Sequence, residues 1–113
     1  MYVAPDLKGK IVISQMFSGM EFYIVNCRDD PTKTDLELMI YQNGGTLVQN
    51  LMPSTTHVVA AVEDFKCRSI RDSFDMNIIS NKWVVACVRR GCLLDLEPRF
   101  MIYTNAELKE YFS

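Results

Sequence analysis

The residue types that most often carry catalysis are few in this chain of 113 residues. His57 is the single histidine, so a metal site built on two histidines is excluded. It opens the β-branched run "HVVAAV" and is predicted as a core or edge histidine of a strand, not as a catalytic base. No serine or cysteine stands in a nucleophile elbow of the type G-x-S-x-G. No nucleophile–base pair is therefore predicted.

The cysteines do not form a metal-binding or redox pattern. None of them belongs to a C-x-x-C pair, and two lie in or beside apolar runs. We therefore predict reduced, mostly buried thiols in a cytosolic or nuclear protein, in preference to disulfides or zinc ligands. The four are Cys27, Cys67, Cys87 and Cys92.

Loops that hold phosphate are also missing from the sequence. No G-x-G-x-x-G follows a predicted strand, and no G-x-x-x-x-G-K-[ST] occurs. Gly44-Gly45 follows a helical run, which predicts a helix stop and not a phosphate cradle. Asp29-Asp30 follows the first strand, as acidic pairs do in receiver domains, but the third strand ends "VVAAV" without a phosphoacceptor. A solvated turn is the better interpretation of that pair, and no cofactor is predicted for this chain.

Basic residues form small clusters that allow two interpretations. They are either solvated helix surface that complements the helix dipole, or contacts for an anion, a partner or nucleic acid. A net charge of −2 and a pI near 5.3 disfavour a domain that binds DNA mainly by neutralising phosphates. No stacking aromatic residues are expected beside the clusters. The clusters are Lys66, Arg68 and Arg71; Arg89 and Arg90; and Lys8 and Lys10.

The elements that position these residues alternate between strands and helices. Strands are predicted at 21–26, 46–50, 56–62 and 76–79, and helices at 34–43, 63–73 and 80–90. An extended segment at 92–103 and a helix from residue 104 follow. Residues 1–16 are predicted as a leader from an upstream region and 17–113 as one domain. The alternation predicts an α/β protein with a small parallel sheet.

Local signals support these boundaries. Capping boxes are predicted at Thr34–Glu37 and at Thr104–Glu107. In the second helix, Phe65 and Ile70 are predicted to anchor the core. The charge-free stretch 38–62 contains glycine, proline and amide residues, so it is predicted as buried strands and not as a membrane span.

The third helix carries the only tryptophan of the chain, in "WVVACVRRG". Trp83 and Cys87 lie one turn apart and predict a buried face, with Ser80 capping the start of the helix. Arg89 and Arg90 lie in the last turn, and Gly91 ends the helix.

Together these features resemble a BRCT domain. The strands "EFYIVN", "TLVQN" and "THVVAA", the pair Gly44-Gly45 and the motif Trp83-x-x-x-Cys87 carry the resemblance. It implies a four-stranded parallel sheet in the order 2-1-3-4, flanked by three helices, with Trp83 in the core and the glycine pair in a tight turn. The blocks "EPRFMIY" and "NAELKEYF" are similar to BRCT domains of DNA ligases that repair double-strand breaks.

What the resemblance implies about function is indirect. No K-x-D-G adenylation motif is present, so the chain is expected to be catalytically inert. It is expected to act in the nucleus as an adaptor in non-homologous end joining. The expected partners are the Ku heterodimer and the coiled-coil scaffold of the ligase, the latter mainly through a linker and a second BRCT domain beyond this chain. No contact with a membrane is expected.

Two alternatives stay open. BRCT domains that read phosphopeptides use a Ser or Thr hydroxyl, an adjacent glycine N–H and a lysine of the second helix; here these positions hold Asn26, Cys27 and Lys66. The second alternative is a DNA-end contact through Lys66, Arg68 and Arg71.

Overall fold

A computed structural model describes residues 11–113, and Lys8, Lys10 and the rest of residues 1–10 lie outside this part. The sheet has five strands in the order β2-β1-β3-β4-β5. The first four pair in parallel, in the order that the family resemblance implies, and β5 joins the edge antiparallel to β4. The strands are β1 Glu21–Ile24, β2 Thr46–Leu47, β3 His57–Ala60, β4 Ile78–Ser80 and β5 Met101–Tyr103.

The fifth strand was predicted only as part of an extended segment. A single 3-10 turn at Pro98–Phe100 turns the chain back along β4. There Tyr103 pairs with Ile78 and Met101 with Ile79. The α/β class and the parallel order are therefore confirmed, with one antiparallel edge strand added.

Each inner strand alternates its side chains between two cores because successive residues of a strand point to opposite faces. Val59 and Ile79 face a larger core, whereas Val58 and Ile78 face a smaller one. The helices α1 Lys33–Gln42 and α3 Asn81–Arg90 cover the first face and contact each other. The helix α2 Phe65–Phe74 covers the second face, and α4 Ala106–Phe112 follows β5.

The start of α1 differs from the prediction. The stretch "PTKTDLE" contains two overlapping candidates for a capping box. The helix uses the earlier one: the Thr32 hydroxyl accepts from the Asp35 N–H, and the Asp35 carboxylate accepts from the Thr32 N–H. The predicted box Thr34–Glu37 is therefore wrong, because Thr32, two residues earlier, is already extended and able to cap.

The other helix ends show which local signals were sufficient. Ser80 caps α3 and Gly91 ends it in the left-handed conformation, as predicted. The predicted box Thr104–Glu107 is wrong, because Asn105 caps α4 and accepts from the Leu108 N–H.

The predicted anchors of α2 have opposite outcomes. Ile70 is buried against the second face, whereas the side chain of Phe65 is 68% exposed. Phe65 lies roughly 140° around the helix from Ile70, which turns it toward solvent. The prediction of Phe65 as a core anchor is therefore wrong.

The glycine pair after α1 meets two separate geometric demands. Gly44 has a φ of +87°, a left-handed conformation that side chains disfavour. A Cβ on Gly45 would lie 2.6 Å from Cγ2 of Ile40 and 3.1 Å from Cε1 of Phe22. The first glycine makes the turn and the second lets β2 start close to the core.

Residues ahead of β1 also contact the domain. The N–H groups of Ile13 and Ser14 donate to the Gln42 carbonyl at 2.7 and 3.1 Å, and the Phe17 N–H donates to the Asn43 carbonyl at 2.7 Å. Phe17 is fully buried. Within residues 11–113, no helix has the length and apolarity needed to cross a membrane.

Candidate protein-interaction groove

Trp83 and Cys87 hold the segment after α3 in place from within the core. The Trp83 indole N–H donates to the Leu94 carbonyl at 3.0 Å, and the Leu94 N–H donates to the Cys87 sulfur at 3.4 Å. Both side chains are buried, and burial raises the pKa of the Cys87 thiol. Trp83 is thus a structural residue that fixes the position of Leu94 beside α3.

His57 belongs to an aromatic stack in the same core. Its ring lies between Phe22, at 4.9 Å, and Trp83, at 5.6 Å between ring centroids. The Thr56 hydroxyl donates its single proton to the Glu21 carbonyl at 3.0 Å. The His57 Nδ1 lies 2.8 Å from the Thr56 hydroxyl oxygen, so this nitrogen is protonated and donates to that hydroxyl. Burial lowers the pKa of His57, so the ring is neutral at pH 7. This environment suits a packed neutral ring.

A groove of about 840 Å³ runs along the outer face of α3. The loop before α1, the middle of α1, and the segment 94–100 form its other walls. Its half-buried apolar floor includes Val85, Ala86, Val88 and Met39. Leu94, held by Trp83 and Cys87, closes one side of the groove.

Charged side chains border this groove unevenly. Four basic residues and one acidic residue, Asp30, are among those that line it, although the whole chain carries a net charge of −2. The basic ones are Lys82, Arg89, Arg90 and Arg99. Excess positive charge at the groove therefore contrasts with the acidic protein that surrounds it.

These four cations differ in how they are held. Arg99 forms an ion pair with Glu97 at 3.1 Å, and its guanidinium lies 4.1 Å from the centroid of the Phe100 ring. In residues 11–113 the only other ion pair is that of Arg71 and Asp72, so Lys82, Arg89 and Arg90 have no ion-pair partner in the described structure. Exposed cations without a partner are available to bind an anionic group.

The predicted site residues Arg89 and Arg90 therefore lie at this groove, whereas Lys82 and Arg99 were not predicted as site residues. Lys82, Val85 and Arg89 are spaced at i, i+3 and i+7, which places them on one helix face. That spacing was a usable signal. Nothing local in the sequence indicated that Arg99 returns to the same groove.

Asn26 stands at the end of β1, where phosphopeptide-reading domains carry a hydroxyl. Its side-chain oxygen accepts from the N–H groups of Ala61 and Val62 at 2.7 and 3.1 Å. Its amide nitrogen donates to the Val62 carbonyl at 2.9 Å and to the Asp64 carboxylate at 3.0 Å. The Asn26 side chain thus connects the chain after β1 to the chain after β3 by hydrogen bonds, and both of its amide protons are engaged.

The surroundings of Asn26 are unfavourable for a second anion. Asp64 caps α2, and the hydrogen bond from the Cys67 N–H lowers the pKa of its carboxyl, with the Asn26 amide adding to the effect. The ionised carboxylate would repel a phosphate placed at Asn26. Cys27 points to the opposite core, and burial is the main cause that raises the pKa of its thiol.

Lys66 lies between Asp64 and Cys67, both of which contact the Asn26 amide. It lines a smaller pocket of about 220 Å³ at the carboxyl ends of β1 and β2, together with Lys33, Glu37 and Gln49. Asn26 is not among the lining residues in the described part of the chain. Asn26 and Lys66 therefore do not line this pocket together.

The outer face of α2 differs from the prediction. Lys66 and Arg68 are exposed, and Arg71 is paired with Asp72 at 3.0 Å. Phe65 and Phe74 are 68% and 44% exposed at the two ends of the helix. The expectation that no aromatic residue accompanies this basic cluster is therefore wrong.

Within residues 11–113, no group of three or more His, Cys, Asp or Glu side chains is placed to hold a metal ion. The four cysteines are free; Cys67 and Cys87 are buried, Cys27 is half-buried and Cys92 is exposed.

The fold, the tryptophan on α3 and the glycine turn define the class of this protein. The chain belongs to the BRCT domain family, whose model matches residues 15–99. A BRCT domain is a non-catalytic module.

Comparison with curated proteins narrows the relationship. The chain is 30% identical over 112 residues to DNA ligase 4 of Gallus gallus and 33% identical over 110 residues to DNA ligase 4 of Homo sapiens. These alignments cover 99% and 97% of the chain but 12% of each relative. The predicted similarity to a DNA ligase is thereby confirmed, with DNA ligase 4 as the relative.

A solved structure supports the fold. The BRCT domain from human DNA repair protein REV1 matches with a TM-score of 0.66 and 26% identity, covering 82% of this chain and 93% of that one.

Proposed function

We propose that this chain is a non-catalytic protein-interaction module of a DNA ligase that seals double-strand breaks in non-homologous end joining. The observation that carries the proposal is its similarity to DNA ligase 4 over nearly the whole chain. The groove on α3, with its apolar floor and unpaired cations, supports a binding role because it offers contacts without any catalytic group.

In this proposal the module holds the ligase close to the other end-joining factors in the nucleus. The Ku heterodimer is the proposed partner of this domain itself. The coiled-coil scaffold of the ligase is proposed to bind chiefly to a linker and a second BRCT domain that follow in the longer protein. DNA contact is proposed to be weak.

Direct binding to purified factors tests the proposal. Immobilised Ku heterodimer is titrated with this chain, and the scaffold is titrated with the chain extended through the next BRCT domain. The BRCT domain of REV1 serves as a control that shares the fold. We expect saturable binding that the control lacks. If neither factor binds, or if the control binds equally, the proposed function is wrong.

A DNA-end contact is the second candidate, and the outer face of α2 favours it. Exposed Phe65 offers a surface for base stacking next to the exposed cations Lys66 and Arg68. Binding of a duplex with a short single-stranded end would show a steep negative dependence on salt if several phosphates are neutralised. A flat response, unchanged in the double variant Lys66→Ala/Arg68→Ala, would remove this candidate.

The phosphopeptide-reading alternative receives less support. Asn26 has its amide engaged by Val62 and Asp64, and Lys66 lines a pocket that does not include Asn26. We expect a phosphoserine peptide and its unphosphorylated form to bind equally weakly in an anisotropy titration. A clear preference for the phosphorylated form would restore this alternative.

A further inference from the structure

We propose that the groove along α3 binds an acidic, amphipathic peptide segment of a partner protein. This inference rests on the proposed function, because it names the chemistry of the partner that the interaction module would take.

The floor of the groove requires an occupant with apolar side chains. Val85 and Ala86 of α3 and Met39 of α1 are half-buried, so each still exposes apolar surface. Removing such surface from water stabilises a complex in proportion to the apolar area that is buried. The floor therefore favours a ligand that presents aliphatic or aromatic groups along one face.

The rim requires an occupant with negative charge. Lys82 begins the row on α3, and Arg89 and Arg90 end it. All three are exposed and have no ion-pair partner within residues 11–113. Lys82 and Arg90 are about 12 Å apart along α3, so carboxylates spaced over about two helical turns of a ligand can reach both ends of the row.

Nucleic acid satisfies only half of these conditions. Phosphates would meet the cations, but they offer nothing to the apolar floor. Phe100 is the only aromatic side chain among the described lining residues, and it is buried with Arg99 stacked on it. No exposed ring is left there for a base to stack on, whereas α2 on the opposite face of the sheet has one. An acidic amphipathic peptide satisfies the floor and the rim together.

The dimensions agree with a single peptide element. A volume of about 840 Å³ lies within the range of ligand-binding clefts. An amphipathic helix that lays its apolar face into a groove is a common mode of peptide recognition.

The test uses a defined probe peptide. It is a fluorescein-labelled helix-forming peptide of about 14 residues, roughly four helical turns, with Leu at i, i+3 and i+7 and Glu at the outward positions. One comparison peptide replaces Glu by Lys, and another replaces Leu by Ser. Binding to the chain is followed by fluorescence anisotropy. We expect the Glu/Leu peptide to bind at least about ten-fold more tightly than either comparison peptide.

Matched charge reversals locate the binding surface. Arg89→Glu/Arg90→Glu changes the rim of the groove, whereas Lys66→Glu/Arg68→Glu makes the same change of charge on α2. We expect the first variant to lower affinity for the Glu/Leu peptide by about ten-fold or more and the second by less than about three-fold. Val85→Asp, which places a charge in the floor, is expected to weaken binding similarly. Far-UV circular dichroism and thermal melting establish that each variant is folded.

Each contrary result overturns the inference. Equal losses in both double variants would mean attraction by net charge, not binding in the groove. If a duplex oligonucleotide binds more tightly than the peptide, and if Arg89→Glu/Arg90→Glu abolishes the binding of the duplex, the groove would be assigned to nucleic acid. Failure of the Glu/Leu peptide to bind would reject an acidic ligand. If Ku still bound in that case, the proposed function would stand and only the chemistry of the groove would be wrong.

Discussion

Replacing Asn26 by alanine is expected to destabilise the domain, because this side chain joins β1 to the turn that follows β3. Its oxygen serves two backbone N–H groups, of Ala61 and Val62, and its nitrogen serves the Val62 carbonyl. In Asn26→Ala these three backbone groups lose their partners in a half-buried position. At about 1 kcal/mol for each group, with some recovery by water, the expected loss is about 2–3 kcal/mol.

Urea denaturation measures this loss directly. Trp83 is the only tryptophan, it is buried, and Asn26→Ala leaves it in place, so its fluorescence reports unfolding. Asn50→Ala is the matched control, since Asn50 is exposed in a loop, and its effect is expected to stay within about 0.5 kcal/mol. If Asn26→Ala unfolds at the same urea concentration as the control, the structural role assigned to Asn26 is refuted.

Replacing Asn26 by aspartate adds a test by pH. The variant keeps the side-chain oxygen that accepts from Ala61 and Val62. It replaces the amide nitrogen, which lies 3.0 Å from the Asp64 carboxylate in the wild type, by a second oxygen. Each carboxylate would raise the pKa of the other in the folded state. The loss of folding stability from their repulsion is therefore present above the folded pKa values and is relieved as pH falls toward about 4.

The wild type has the opposite trend. The pKa of Asp64 is lowered in the fold, so its contribution to stability is present above its ordinary value of 3.8 and is lost as pH falls through the lowered value. The stability difference between wild type and Asn26→Asp should therefore narrow in acid. A difference that is constant from pH 7 to pH 4 would contradict the direct contact.

Three further predictions concern the core. Trp83→Ala is expected to lower the free energy of unfolding by about 3–5 kcal/mol and to leave the Leu94 carbonyl without its donor. Urea denaturation monitored by circular dichroism measures this loss, and a loss below about 1 kcal/mol would contradict the core position of Trp83. Gly45→Ala is expected to cost about 1–3 kcal/mol through its clash with the Ile40 side chain, while Gly91→Asn, in open space, costs less than about 1 kcal/mol; equal melting temperatures for the two would count against the clash. Since burial lowers the pKa of His57, the contribution of His57 to folding stability is present above pH 6.5, its ordinary pKa, and is lost as pH falls below that value. Thermal melts between pH 8 and 5 should show this loss in the wild type and not in His57→Phe. Identical pH profiles for the two proteins would contradict the prediction.

Much of the architecture is determined by the sequence itself because the responsible interactions are local. Alternation along a strand and the i, i+4 spacing of Trp83 and Cys87 fix which faces are apolar. Ser80 and Gly91 bound α3 because a cap bonds to backbone groups within one turn of its own position. Local signals were ambiguous where two capping candidates overlapped, as at Thr32 and Thr34.

The tertiary structure decided which groups the polar side chains hydrogen-bond to and which cations share a surface. Asn26 bonds to residues 35 and 36 positions away, and no local pattern shows that its amide is already engaged. Arg99 reaches the groove of Arg89 only because the chain turns at Pro98–Phe100 and pairs antiparallel with β4. Sequence determined the elements and their buried faces through short-range periodicity; the fold decided the site, because contacts between distant segments depend on how those faces pack.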